Sequence, residues 1–448
     1  MTISFEPEPE FQEKLNWVER FVREELEPID HLIIGEEARR LGGGHGVFAE
    51  DRLDFGPKFA EHIKRLQEQV RAQGLWALHL GPELGGPGFG QVKLCLLNEI
   101  LARAGIAPRI FGTAAPDTGN MELIAHNGTP EQKKRWLEPL MNGEFRSCYS
   151  MTEPHAGSDP GQFKCRAWRE GDGWVLNGYK WFSSYADMSK LLIVMAITDP
   201  DKPLIERASM FLVPRETPGI EIIRNVGMLH EPLGHGAHGY VRYNMVRLPA
   251  DALLGKEGSG FAGAQTRLSG GRIHHAMRAV GICNQALEMM SERVLSRETK
   301  GSLLSEKQMV QEAIADSYIE LTQFRLHVLY AAFLIDKYRA YTREVRREIA
   351  AVKVSAPKVM QSIVYRALHL HGSLGASNET RLGRMWMNVP WMGIVDGPTE
   401  VHKVTVAQQV LRKAKASEGL FPSYHLPAEI ERARAKFADL IERDLSAY

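Results

Sequence analysis

The sequence predicts a three-part fold: an N-terminal α-helical domain, a middle β-barrel or sandwich domain, and a C-terminal four-helix bundle followed by a helical tail. Three observations predict it. Apolar residues step by three and four through the first third of the chain. From about Arg146 the texture changes to short β-rich runs separated by turn residues, and after "LLGKEGSGF" the helical period returns over longer spans. The expected boundaries are 1–147, 148–256, 257–413 and 414–448.

Phe11, Leu15, Val18, Val22 and Leu26 form one helical face, and Pro28 is expected to end that helix. Phe59, Ile63, Leu66 and Val70 repeat the pattern with Gly74 as a C-terminal cap. In "GTPEQKKRWLEPL", Thr129 caps, Pro130 suits the first helical position and Gln132 completes a capping box. "WVLNGYKWF" reads as a hairpin turning at Asn177-Gly178. "KLLIVMAI" reads as a buried strand, and "SMFLVPRETPGIEII" and "GYVRYNMVRLP" as two more. Val310, Ile314, Leu321, Phe324, Val328, Ala331 and Ile335 then hold one long helical face, and Arg343 to Leu370 makes a second long helix of an antiparallel bundle.

At 448 residues the chain exceeds one small core. Lys+Arg and Asp+Glu stand at 55 each, so no net field draws it to nucleic acid or an anionic membrane. Cys95, Cys148, Cys165 and Cys283 form no CxxC pair, which argues against a disulfide framework or structural zinc. His369 and His371, two apart on a helix, do not face each other and are not read as metal ligands. The N-terminus is acidic, without the basic and apolar regions of a secretory signal, and "LLIVMAIT" is far too short to span a bilayer. A cytoplasmic protein is expected.

"CYSMTEPHAGSDP", Cys148 to Pro160, resembles the first signature of the acyl-CoA dehydrogenase family, an aromatic residue, two variable positions, then T-E-P-x-A-G-S-D. The likeness continues in order. "NGTPEQKKRWLEPLMNGE" lies upstream, and "LNGYKWFSS", "TPGI", "RLPADALLGKEGSGF", "SRETKGSLL" and "HGSLGAS" follow, over residues 75–413. "GRIHHAMRAVG" and "DGPTEVH" are most similar to the branch of family members 10 and 11. The resemblance implies an acyl-CoA dehydrogenase-like fold with FAD held between the β domain and the bundle. It further implies a homodimer or homotetramer whose subunits share the flavin site, electron-transfer flavoprotein as electron acceptor, and a role in fatty acid β-oxidation.

Residue by residue, the resemblance places Tyr149, Met151 and Thr152 along the flavin ring, where amides and a hydroxyl meet a pyrimidine edge that becomes anionic on reduction. Ser158 matches a position shared by the flavin phosphates and the CoA arm. In "KWFSS", Phe182 stands where tryptophan is usual, followed by Ser183 and Ser184. Arg297 and Thr299 match positions that reach the FAD pyrophosphate of the neighbouring subunit, a task suited to the guanidinium fork. Lys300 replaces a usual phenylalanine. Gln308, His369, Gly372 and Ser373 fall at adenine and pyrophosphate positions, and Pro398 and Glu400 at further flavin positions.

In "GIVDGPTEVHK", Asp396 precedes Gly397-Pro398, where most of the family has a glutamate before Gly-Thr and the resembled branch has aspartate. Removing a weakly acidic proton next to a thioester carbonyl requires a base and a stabilised carbonyl oxygen. The resemblance makes Asp396 that base, with its amide and Gly397 facing the substrate. A base position on the earlier helix, used by a few members, holds Gly271. Burial against substrate and flavin is expected to raise the Asp396 pKa. Arg272 matches a position near the CoA arm, or is an ordinary helix-start arginine; His274 and His275 line the acyl pocket or pack. The expected reaction is α,β-dehydrogenation of an acyl-CoA to the trans-2-enoyl-CoA, with flavin N5 accepting the β-hydride. The alternative is a superfamily flavin oxidase acting on a nitroalkane, and a DNA-associated flavoprotein fits the balanced charge poorly.

Overall fold

The computed structural model describes residues 7–40, 56–82, 85–229, 231, 233 and 236–445, so the first six residues of the acidic N-terminus lie outside it. The chain runs α1 (Pro9–Phe21), a π-turn (Val22–Leu26), α2 (Glu27–Arg40), α3 (Pro57–Ala72), α4 (Gln91–Leu101), α5 (Ala107–Ile110), α6 (Asp117–Asn127), α7 (Pro130–Gln132), a second π-turn (Lys133–Leu137) and α8 (Glu138–Met141). The β segment follows with β1 (Ser147–Ser150), β2 (Arg166–Glu170), β3 (Gly173–Ser184), β4 (Leu191–Ile197), β5 (Ala208–Pro214), β6 (Ile220–Val226), β7 (His238–Leu248) and β8 (Leu253–Leu254). Then come α9 (Gly260–Ser296), a small hairpin of β9 (Glu298–Thr299) and β10 (Ser302–Leu303), α10 (Gln308–Tyr338), α11 (Arg343–His371), α12 (Ser373–Ala376), α13 (Leu382–Met392), α14 (Thr399–Leu411), α15 (Leu426–Lys436) and α16 (Ala438–Leu445).

The predicted helix signals that act locally are present. Gln132 N–H donates to Thr129 Oγ1 at 3.2 Å and Thr129 N–H to Gln132 Oε1 at 3.0 Å, closing the capping box. Gly74 follows α3 at φ 66, its N–H bonded to Arg71 O at 2.9 Å. Pro28, however, does not end the first helix. Glu27 N–H reaches back to Val22 O, one residue further than in an α-helix, and Pro28, having no N–H, stands where the normal register resumes. The same device recurs where Glu138 N–H reaches Lys133 O just before Pro139.

The eight-stranded sheet has the order β6-β7-β3-β2-β4-β5-β8, with β1 parallel to β4. Asn177-Gly178 is not the hairpin turn. It lies inside β3, opposite β7, at a register shift between Leu176 and Gly178. Gly178 presses on Cys165, where an added Cβ would stand 2.7 Å from its Cα, and close approach is the purpose of this glycine. The turn falls earlier, because Glu170 pairs with Gly173 around Gly171, which adopts φ 62. "SMFLVPRETPGIEII" supplies two strands, β5 and β6, rather than one.

Alternation along β4 divides its side chains between two cores. Leu191, Ile193, Met195 and Ile197 face Leu123, Ile124, Trp136 and Leu137, which ties the sheet to α6 and the second π-turn. Leu192, Val194 and Ala196 face Trp174, Phe211, Val241 and Tyr243, the core within the β segment. The two helical segments share one core, with Phe11, Leu66 and Leu97 packed with Met277, Phe324, Met360 and Met392. Buried Asp117 on α6 takes hydrogen bonds from Ser147 N–H (2.7 Å), Ser147 Oγ (2.6 Å) and Arg146 Nε (2.7 Å), so that the start of β1 is fixed on α6. Among the described residues no helix is long and apolar enough to cross a membrane.

Candidate active site

Asp396 lies between α13 and α14 at φ 55, a left-handed conformation rare for a residue with a side chain, and Gly397 follows at φ 105. Val395 N–H bonds Trp391 O at 3.0 Å, and Thr399 N–H bonds Gly393 O at 2.9 Å, so the loop is folded tightly between the two helix ends. Lys353 of α11, fully buried, donates to Met392 O at the end of α13. The main-chain carbonyl of Asp396 accepts Arg272 Nε–H at 2.8 Å and faces His402 Nε2 at 3.3 Å. Arg272, His402 and Lys353 therefore brace the backbone and leave the carboxylate to other partners.

The carboxylate turns onto α9. A Cβ on Gly271 would stand 2.5 Å from Asp396 Oδ2, so any larger residue there would force the carboxylate to move. One turn along the same face, His275 Nε2 lies 3.2 Å from Oδ2. Burial alone pushes the Asp396 pKa up, as expected from the sequence. Hydrogen bonding by His275 and the positive charges of Arg267 and Arg272 outweigh it and hold the carboxyl below the usual carboxylate range. Burial drives His275 down to about 4, so its ring is neutral at pH 7 and acts on Asp396 as a hydrogen-bond donor.

A second carboxylate lies against the neighbouring glycine. A Cβ on Gly270 would stand 3.3 Å from Glu122 Oε2, which reaches α9 from α6. Burial pushes Glu122 up to about 8, opposed by Arg267. Arg267 lies 4.0 Å over the Tyr149 ring and donates to Asn120 Oδ1 at 3.2 Å. Burial holds the rings of His274 and His79 neutral, at about 3.

Of the residues matched to the flavin ring, Tyr149 is buried beneath Arg267, while Met151 and Thr152 are half-buried at the edge of the β domain. Thr152 O accepts Trp181 N–H at 2.8 Å. Glu153, next in the signature, is a structural anchor. It is buried, pairs with buried Lys180 at 2.9 Å and accepts Lys164 N–H (2.7 Å) and Cys165 N–H (3.0 Å). Phe182, at φ 54, presents an exposed ring stacked on His238 at 5.0 Å. Ser184 bonds His238 Nδ1 at 2.9 Å. Ser183 departs from the expectation, since its hydroxyl points into the sheet and bonds Ser150 Oγ at 2.8 Å.

Ser158 is exposed in its loop, and Arg297, Thr299, Gln308, His369, Gly372 and Ser373 are exposed near the ends of α9, α10 and α11. Lys300 takes the first corner of the β9–β10 turn at φ 48, with Gly301 at φ 76, which explains why no apolar side chain is needed there. From Gly271 to Arg297 the helix rises roughly 39 Å, so Arg297 does not converge on Asp396 within one chain. Pro398 caps α14 and Glu400 is exposed in its first turn.

Three family models match the chain: acyl-CoA dehydrogenase N-terminal domain over residues 8–144, middle domain over 148–240 and C-terminal domain over 258–411. The chain is 41% identical to the probable acyl-CoA dehydrogenase FadE2 of Mycobacterium tuberculosis, over 84% of this chain and 92% of that one. It is 39% identical to acyl-CoA dehydrogenase family member 11 of Rattus norvegicus over 78% of this chain, and spans 45% of that longer protein. Its fold is similar to that of a putative acyl-CoA dehydrogenase from Mycobacterium abscessus, with a TM-score of 0.83, 38% identity, and coverage of 91% of this chain and 99% of that one.

Proposed function

The chain belongs to the acyl-CoA dehydrogenase family, and from that premise we propose that it dehydrogenates an acyl-CoA thioester between its α and β carbons, with Asp396 taking the α-proton. The observation that carries this reading is the Asp396–Gly271 contact. A carboxylate held in a strained loop, braced through its backbone and lodged where a Cβ on Gly271 would displace it, is positioned at a cost that a surface turn does not require. The other oxygen, Oδ1, is the one left to meet a substrate.

Family members are FAD-dependent, and the donor set fits that group. An exposed Phe182 ring with the Thr152 and Ser184 hydroxyls suits the flavin ring, and the Arg297 guanidinium with Thr299 and Gln308 suits phosphates and adenine. Bound FAD would supply the hydride acceptor. Because Arg297 lies at the far end of α9 from Gly271 and Asp396, with Thr299 in β9 and Gln308 at the start of α10 beyond it, they serve a neighbouring subunit's cofactor, with His369, Gly372 and Ser373 beside it. A homodimer or homotetramer follows, and electron-transfer flavoprotein is the electron acceptor assigned here. The functional units are 1–147, 148–256, 257–413 and the tail 414–448, and the pathway assigned is fatty acid β-oxidation.

The test is anaerobic mixing of the FAD-loaded protein with acyl-CoAs of varied chain length, followed by flavin absorbance and product analysis. Loss of oxidised-flavin absorbance with formation of a 2-enoyl-CoA is expected. No reduction by any thioester, together with oxygen-dependent turnover of a nitroalkane, would replace this reading with the oxidase.

A further inference from the structure

We propose that His275 is a positioning residue for the base: locked by Arg278 as its Nε2–H tautomer, it holds one oxygen of Asp396 and leaves the other to take the substrate proton. The inference rests on the reading of Asp396 as the base. Its geometry is independent of that reading.

Arg278 Nη2 lies 3.1 Å from His275 Nδ1. A guanidinium carries only donors, so Nδ1 must be the acceptor and must be unprotonated. The proton of the neutral ring is then on Nε2, which faces Asp396 Oδ2 at 3.2 Å. A doubly protonated ring would set an N–H against the guanidinium, and burial opposes that form as well. Trp391 packs edge-on against the imidazole at 5.1 Å and 88°, which restrains its rotation. The sequence spacing makes the arrangement possible, because Gly271, His275 and Arg278 are four and three residues apart and share one face of α9. The result is a row of cation, neutral ring and anion in which the middle member reads the charge at one end and fixes the carboxylate at the other.

The other groups around Asp396 do not duplicate this role. Arg272 from α9 and His402 from α14 bond its main-chain oxygen. Lys353 from α11 bonds Met392 O, Arg267 lies over Tyr149 of β1, and burial keeps the His274 ring neutral. In the reaction the α C–H bond breaks, its proton goes to Oδ1, and its electron pair enters the new carbon–carbon double bond as the β-hydride leaves to the oxidant of the family reaction. His275 keeps its own proton throughout.

The test uses the full-length FAD-loaded protein and the variants His275→Leu, which removes the donor, and His275→Gln, which restores an N–H. The rate of anaerobic flavin reduction by the best acyl-CoA is measured against pH. In His275→Leu the acid limb moves up by about one pH unit or more, because burial is no longer opposed by a hydrogen bond, and His275→Gln returns most of the shift. Nitrogen-15 spectra of the histidine-labelled oxidised protein, compared with His275→Gln, identify one ring protonated at Nε2 and bare at Nδ1 from pH 5 to 8. A slower His275→Leu enzyme with an unmoved acid limb, or a His275 ring protonated at Nδ1, overturns the proposal. Asp396→Asn run in parallel separates the cases. If it is inert while the limb is unmoved, only the role of His275 falls; if it reduces normally, the base reading falls and this proposal with it.

Discussion

Gly271 and Asp396 occupy one space, since a methyl group on Gly271 would stand 2.5 Å from Asp396 Oδ2. Asp396 is the carboxylate that fills the place, and Gly271 is the vacancy that admits it. Gly271→Ala should therefore displace the carboxylate while improving helix propensity. Flavin reduction should slow on the order of 10²-fold, as expected for a misplaced reacting group, with the melting temperature unchanged or raised. Wild-type reduction rates in a normally folded Gly271→Ala protein would show that Oδ2 need not rest there.

Arg272, matched to a position near the CoA arm or else an ordinary helix-start arginine, donates its Nε–H to the Asp396 carbonyl. If it braces the loop, Arg272→Met lowers kcat equally for an acyl-CoA and for the corresponding acyl-pantetheine, which lacks the nucleotide phosphates. A rise in KM confined to the CoA thioester would return Arg272 to the phosphate role.

Glu122 gives a pH signature of opposite sign to a salt-bridged carboxylate. Its folded pKa is raised to about 8 from the ordinary glutamate value of 4.5, so its stabilising effect is complete below pH 4.5 and is lost as pH rises toward 8. The variant Glu122→Gln should match wild type in thermal unfolding near pH 4 and exceed it near pH 8. Equal melting temperatures across that range would mean that Glu122 ionises as easily folded as unfolded.

Sequence order and local chemistry carried the fold, and they failed where the deciding interaction was not local. Thr129, Pro130 and Gln132 cap a helix within four residues, and that signal is complete in the sequence. Pro28 reads as a stop only until the preceding turn widens, which a propensity argument does not contain. Asn177-Gly178 carries good turn chemistry, but Gly178 is needed for contact with Cys165 across the sheet. At the site, Asp396 was legible only through the family motifs, because Asp-Gly-Pro by itself reads as an ordinary surface turn. Its partners were not, because Arg272 lies 124 residues away and His275, Lys353 and Glu122 reach the site from three different helices. A His-His pair beside a diglycine on one helix is a usable clue, since one helical turn links Gly271 to His275 and Gly270 to His274.

The most direct test of the central claim is the rate of anaerobic flavin reduction in Asp396→Asn, which keeps the size and polarity of the side chain and removes the basic oxygen. The FAD-loaded variant should bind its best acyl-CoA, seen as a perturbed flavin spectrum, and reduce at least about 10³-fold more slowly than wild type, within the range for a lost general base. Reduction at near wild-type rate would contradict the account and move the search for the base to Glu400.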